Sequence, residues 1–303
     1  MKNNISATLR RILRDTEKET AISEHRFSRK RLKQLIKDAP PVISLRDALS
    51  SSSGLIAEIK ECSPSQGRMR QENVHDAPFA YKNSRIVKAV SVLTNVSNFG
   101  RGMTMDRLKA IKEQTGKPVL RKDFMITEYQ VLQARAFGAD AILLMANILD
   151  ADELKRLAEA ALALHMDVLF EIHSPDELKD LPQELASIIG INCRNFDSRA
   201  GFQIARLLRE WLSTRNDKSV NLSRFEFIDK LPANCIKIAE SGVNAANCVS
   251  VFEKGFDAAL VGTSLLTDSR GIFAALKDFE EQLAPARART ARKTVSEPAL
   301  APS

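Results

Sequence analysis

Eight short apolar runs, separated by amphipathic stretches, recur between residues 55 and 262. They are LIAEIK (55–60), VKAVSVL (87–93), PVLRK (118–122), AILLM (141–145), DVLFEI (167–172), SIIGIN (187–192), CIKIAE (235–240) and AALVG (258–262). Their length and aliphatic content suit strands of a parallel sheet buried on both faces. Helical signals lie between them. Residues 103–115 end at Gly116, Thr127 caps a segment that stops at Gly138, and 151–165 carry apolar residues at helical spacing. Ser174 with Glu177 reads as a capping box, 244–254 stop at Gly255, and 271–283 close the pattern. Strands alternating with helices eight times predict an α/β fold, a (β/α)8 barrel. A doubly wound sheet is the other candidate, but it would show G-x-G-x-x-G after its first strand, and none is there.

Composition narrows the class. The 303 residues are 44% apolar and 27% charged, which suits a globular chain and excludes collagen-like, disulfide-scaffold and wholly disordered readings. No apolar run approaches the length of a membrane span, and the first residues lack a signal-peptide stretch. The four cysteines, Cys62, Cys193, Cys235 and Cys248, form no C-x-x-C pair, so a cytoplasmic location without disulfides or structural zinc is expected. The net charge of +7 sits in the ends: residues 1–37 carry eleven Lys/Arg against four Asp/Glu, and 285–303 carry four against one. No RNA-binding aromatic motif accompanies these charges, so a solvated surface is favoured over nucleic-acid binding. The expected organisation is a helical extension over 1–50, a barrel over 51–284, and a disordered basic tail over 285–303. The interval 193–234 is longer than one crossover needs. It should hold a helix at 201–213 and, in 214–234, a second short helix or a loop.

Barrel active sites lie at the carboxyl ends of the strands. There the sequence places Glu58 and Lys60, Lys122, Glu171 followed by His173, Asn192 followed by Arg194, and Glu240 followed by Ser241-Gly242. Inward positions normally hold apolar side chains, and burying Lys or Glu there costs several kcal/mol unless they are paired. Such a set is either a salt-bridged plug closing the mouth or acid–base machinery whose members shift one another's pKa. Gly242 and Gly262, each beside hydroxyl residues where a strand turns toward a helix, suit an anion site after the last two strands.

The motifs IAEIKECSPSQG (56–67), SVLTNVSNFG (91–100), the long segment opening PVLRKDF (118–149), FEIHSPDEL (170–178), IIGINCRNF (188–196), KIAESGV (237–243) and AALVGTSLL (258–266) together resemble the indole-3-glycerol-phosphate synthase family. The resemblance covers about residues 55–283. It implies a carboxy-lyase of tryptophan biosynthesis that closes the indole ring of 1-(2-carboxyphenylamino)-1-deoxyribulose 5-phosphate, releasing carbon dioxide and water. It implies no metal or organic cofactor, and it leaves room for association with other enzymes of that pathway. Under it Lys122 is the general acid of ring closure and Glu171 its carboxylate partner. Lys60 grips the substrate carboxylate and assists dehydration, Glu58 is the base of the last step, and Asn192 and Ser241 complete the catalytic set. Ser63, Gly242, Gly262 and Ser264 line the phosphate site. Arg194 and Glu240 play supporting polar roles, and Phe99, Phe124 and Leu143 wall the anthranilate ring.

The chain departs from the family pattern in SPSQG, where lysine usually precedes the glycine, and at Asn95, where an acid is common. The stretch after Asn95 and the approach to the second strand also differ, and the first 50 residues match only in helical character. His25, His75, His165 and His173 acquire no role. A divergent barrel that only binds a phosphate ligand or partner is the alternative. It would be expected to have lost some of Glu58, Lys60, Lys122, Glu171, Asn192 and Ser241, and all six are present. An isomerase of the same pathway would pair a cysteine with an aspartate; Cys62 is near, but the RKDF and EIK groups speak against it.

Overall fold

The computed structural model describes residues 1–2, 5–50, 52–63, 67–100, 102–194 and 220–295, the last eleven as backbone only. Eight parallel strands close into a barrel: β1 Gly54–Ile59, β2 Val87–Leu93, β3 Val119–Lys122, β4 Ala141–Met145, β5 Asp167–Ile172, β6 Ile188–Asn192, β7 Ile236–Glu240 and β8 Ala258–Val261. Each coincides within a residue or two with one of the eight apolar runs. Almost every strand residue is buried, as expected where helices cover the outside and side chains fill the inside.

The register fixes what faces inward. Glu58 lies opposite Ser91, Leu93 opposite Lys122, Met145 opposite Glu171, Glu171 opposite Gly190, and Asn192 opposite Glu240. Laterally paired residues share a face, and faces alternate along a strand. Glu58, Lys122, Glu171, Asn192 and Glu240 therefore all project into the barrel at its carboxyl mouth. Below them Ile56, Leu120, Leu169, Ile238 and Leu260 make a dry floor.

The crossover helices follow their sequence signals, with instructive exceptions. Thr127 caps Glu128–Ala136 through a complete capping box with Gln130, and Gly116 stops Met105–Thr115 in the left-handed region. Ser174 makes no such box. Its side chain caps nothing, the turn Pro175–Asp180 is a 3-10 helix, and the Glu177 carboxylate accepts the His173 N–H at 2.8 Å. The helix Gln71–Asn83 has no clear sequence signal because Pro78 lies inside it. The helix expected at 201–213 lies outside the described residues, and 214–234 contains the 3-10 helix Leu222–Lys230.

The two ends are attached to the barrel in different ways. The extension does not merely lie outside the barrel. Its first helix, Ala7–Arg26, meets the mouth loops, and its second, Arg29–Lys37, packs on Glu128–Ala136. Leu45 and Leu49 of its third, Leu45–Ser50, are buried at the base, where Asp140 and Asp167 anchor residues 43–46. At the other end the helix Ile272–Val295 runs eleven residues beyond 284. Composition leads to the expectation of disorder from 285; residues 296–303 lie outside the described set. Among the described residues no helix is long and apolar enough to cross a membrane.

Candidate active site

The center of the mouth is a lysine held by two carboxylates. Lys122 donates to Glu240 at 2.8 Å and to Glu171 at 3.2 Å. Both glutamates are buried and their Oε1 atoms have no hydrogen-bond partner among the described residues. Beside them Lys60, the first residue after β1, donates to Glu58 at 2.5 Å, and both are buried. The sequence reading gave Glu240 a supporting role, but the structure makes it the nearer of the two carboxylates on Lys122. Which glutamate meets which lysine depends on barrel closure across several strands, and sequence spacing does not encode that.

Burial and charge divide the five groups. Burial pushes the Glu240 carboxyl up to about 8; Lys122 opposes the rise and Glu171 adds to it. Burial works the same way on Glu171, but Lys122, His173 and Asn192 outweigh it and hold Glu171 below the usual carboxylate range. At neutral pH one carboxylate is thus ionised and its neighbour carries a proton, the like-charge division expected of a crowded pair. Burial disfavors the Lys122 ammonium, yet Glu240, Glu171 and Glu58 raise it above the ordinary lysine value. Lys60 has only Glu58 against burial and two other cations, and falls below it. Burial opposes ionising Glu58, but Lys60 and Lys122 hold it low. The mouth therefore contains a strongly held proton on Lys122, a more easily released one on Lys60, a third on Glu240, and two carboxylates, Glu58 and Glu171, ready to accept.

The remaining predicted residues lie on the barrel strands, at their carboxyl ends or in the segments that follow them. Asn192 ends β6 and accepts the Arg194 N–H at 2.8 Å. Arg194 acts electrostatically on both Glu58 and Lys60. Ser241 and Gly242 follow β7 with φ of 68° and 82°, a left-handed turn that serine adopts only under constraint. Gly262 faces Glu58: a Cβ there would come within 2.4 Å of its Oε1. Ser264, in the four-residue helix Thr263–Leu266, donates to the Val243 carbonyl at 3.2 Å. Ser63 is buried in a two-stranded hairpin with 67–68 beside β1. Phe99 and Phe124 stack with centroids 6.3 Å apart and planes 9° from parallel, and Leu143 projects inward from β4.

Several contributors escaped the sequence reading. Gly190 lies under Glu240, and a Cβ there would come within 2.1 Å of Oε1; glycine inside a strand was the available signal. Arg224 donates to the carbonyls of Asn192 and Arg194, pinning the end of β6. Ser91, opposite Glu58, is fully buried with its hydroxyl unpartnered among the described residues. No cluster of three or more potential metal ligands occurs among those residues.

The closed parallel barrel and the lysine–glutamate cluster at its mouth define a (β/α)8 protein equipped for proton transfer. The family model for indole-3-glycerol phosphate synthase matches residues 9–206, and the chain belongs to that family. It is 39% identical to the indole-3-glycerol phosphate synthase of Leptospira interrogans over 73% of this chain and 80% of that protein. It is 33% identical to the one of Mycolicibacterium smegmatis over 84% and 88%. A tryptophan biosynthesis protein of Vibrio parahaemolyticus, TrpCF, matches at 37% identity over 74% of this chain but only 43% of its own length. Among solved structures, 3-hexulose-6-phosphate synthase from Salmonella typhimurium superposes with a TM-score of 0.54 at 14% identity, covering 77% of this chain and 99% of that one. That likeness concerns the fold alone.

Proposed function

We propose that this barrel is a carboxy-lyase that converts 1-(2-carboxyphenylamino)-1-deoxyribulose 5-phosphate to indole-3-glycerol phosphate, carbon dioxide and water. The observation that carries the reading is the Lys122 ammonium, fixed between Glu240 and Glu171 at the carboxyl mouth of a barrel. In ring closure the aromatic carbon bearing the carboxylate attacks the ketone carbon, and the ketone oxygen must gain a proton as its double bond opens. Lys122 supplies it. Glu171, ionised, orients Lys122 and offsets its charge. Loss of carbon dioxide restores aromaticity. Removal of water then needs an acid for the departing hydroxyl and a base for the ring proton, and the Lys60–Glu58 pair provides both. Lys60 also attracts the substrate carboxylate, and Asn192 and Ser241 hydrogen-bond its polar groups. Arg194 adds positive charge beside Glu58 and Lys60.

The turns after β7 and β8, with Ser63, would hold the phosphate through Gly242, Gly262 and Ser264, the place where barrels often bind phosphate. Phe99, Phe124 and Leu143 would wall the aromatic ring. A cytoplasmic enzyme of amino-acid biosynthesis fits this chemistry. The partial match to the longer tryptophan biosynthesis protein supports work beside another enzyme of the pathway.

The test is incubation of purified protein with the carboxyphenylamino substrate while indole fluorescence is followed. The wild type should generate signal, and Lys122→Ala should lower kcat at least ~10²-fold, the low end for a positioned proton donor, with a smaller change in KM. A loss confined to KM would reduce Lys122 to a binding group.

A further inference from the structure

His173 is a buried imidazole that the reaction above does not use. It is the first residue after β5, two positions from Glu171 and hence on the same inward face. Its Nε2 lies 3.5 Å from Glu171 Oε1, and its Nδ1 lies 3.9 Å from Glu177 Oε2. Glu177 is itself fixed, because its carboxylate accepts the His173 N–H at 2.8 Å and the Ser174 hydroxyl at 3.5 Å.

The imidazole meets a specific mechanical need. Glu171 is anchored to Lys122 through Oε2, and Asn192 and Glu240 also act on its carboxylate, whereas Oε1 takes no hydrogen bond of good geometry among the described residues. The terminal torsion of a glutamate has a broad, two-fold profile, so one anchored oxygen does not set the plane of the group. We propose that His173 is a positioning residue for the acid–base pair: clasped between Glu171 and Glu177, it fixes the carboxylate from which Glu171 orients Lys122. This rests on the reading of Lys122 and Glu171 as that pair. The 3.5 Å separation is an ion-pair distance, and catalytic contacts of this length commonly tighten only around bound substrate.

Two carboxylates flank the imidazole. Glu171 faces it from its own strand and Glu177 from the following turn. Lys122 and Glu240 reach it through Glu171. Lys2, paired with Asp180 at 2.6 Å, reaches it through Glu177. His173 also helps to hold Glu171 below the usual carboxylate range, so its loss should let Glu171 keep its proton to higher pH.

His173→Leu keeps bulk and removes the donor, and His173→Gln restores a donor near Nε2 without a titrating ring. We expect His173→Leu to lower kcat at least ~10-fold, as misplacement of a reacting group does, with KM little changed and the acid limb of the kcat–pH profile moved upward. His173→Gln should recover most of the rate at the optimum but keep the shifted limb. The double variant Glu171→Gln/His173→Leu should be no slower than Glu171→Gln alone, since His173 acts through Glu171.

A wild-type kcat and profile in His173→Leu, or additive losses in the double variant, would overturn the assignment. So would equal loss in the Leu and Gln variants with lowered melting temperature. If His173→Leu fails to fold, His173→Gln decides alone, and an unshifted acid limb in it overturns the proposal. Normal turnover in Lys122→Ala and Glu171→Gln would instead sink the acid–base reading itself. Inactivity of those two beside a normal His173→Leu would sink only the role of His173.

Discussion

At Lys122 one ammonium group faces two carboxylates of unequal charge, and the inequality has a pH signature. Glu240 keeps its proton until about pH 8, so below that Lys122 answers mainly to Glu171. As Glu240 ionises, a second full negative charge binds the Lys122 proton more tightly and makes it a poorer acid. Turnover should therefore fall as pH rises through about 8, and Glu240→Gln, which cannot ionise, should abolish that fall. A kcat–pH profile of the two proteins checks it. The same group affects stability. Its folded pKa is raised above 4.5, so the folded state binds the proton more tightly. The stabilisation is full below 4.5 and is lost as pH rises toward about 8. Glu58 and Glu171, held low, have the opposite sign: their contribution is present above the ordinary carboxylate value and lost as pH falls below it. Gly190 supports this arrangement by being absent as a side chain. Gly190→Ala forces the Glu240 carboxylate to move, because the near contact is with its Oε1 and Cδ. The expected result is a kcat loss of ~10²-fold, the scale of an ångström's misplacement, with the limb near pH 8 displaced.

At the scale of one element, β3 shows how a strand end is made rigid enough to aim a lysine. Lys122 points inward, and its neighbours Arg121 and Asp123 point outward into a closed polar network. Arg121 donates to Thr94 at 3.0 Å, to the Gln130 carbonyl at 2.8 Å and to Asp123 at 2.8 Å. Asp123 also accepts from Thr94 at 2.7 Å and from the Phe124 N–H at 2.8 Å. Because both charges are buried, removing one leaves the other without compensation. Asp123→Ala should destabilise the fold by about 3–5 kcal/mol, read as a lower urea midpoint, whereas a loss of a few tenths would mean that the pair is solvated. Much of this element was legible in the sequence: the run ends in charged residues, and Thr127 with Gln130 signals the helix that follows. The strands were legible throughout because continuous aliphatic runs have few other uses. The site was half legible. Lys and Glu in the inward phase of a strand betray themselves, but the Lys122–Glu240 contact joins positions 118 residues apart and follows only from closure of the ring. Gly190 and His173 looked ordinary because their meaning lies in what approaches them from other strands and turns.

On the scale of the whole molecule the extension connects the two ends of the barrel, and its first helix bears on the active mouth. The Met1 ammonium meets Asp150 and Glu153, Lys2 meets Asp180, and all three acids lie beyond the carboxyl ends of β4 and β5. Further on, Asn95 donates to Thr16 at 3.0 Å, and Glu19 accepts the Ser97 N–H at 3.0 Å. These contacts hold the loop that carries Phe99, the residue stacked on Phe124. Ile5, Leu9, Ile12 and Leu13 are buried beneath the helix. Deleting residues 1–26 thus exposes four aliphatic side chains' worth of partner surface, each worth about 1.5–3 kcal/mol when fully buried. That sum is comparable with the whole stability of an ordinary domain, about 5–15 kcal/mol. The truncated protein should melt at a clearly lower temperature, and where it remains folded KM should rise as the Phe99 loop loosens. The opposite end provides the control. Residues 285–303 have little apolar surface to bury, and at 0.1 M salt their charges act over only about 10 Å. Removing 285–303 should leave melting temperature and kcat/KM unchanged at physiological salt. Melting curves and indole-fluorescence kinetics on the two truncations decide the matter, because equal tolerance of both would show that the first helix contributes nothing to the mouth, and equal damage would give the tail a role its composition does not suggest.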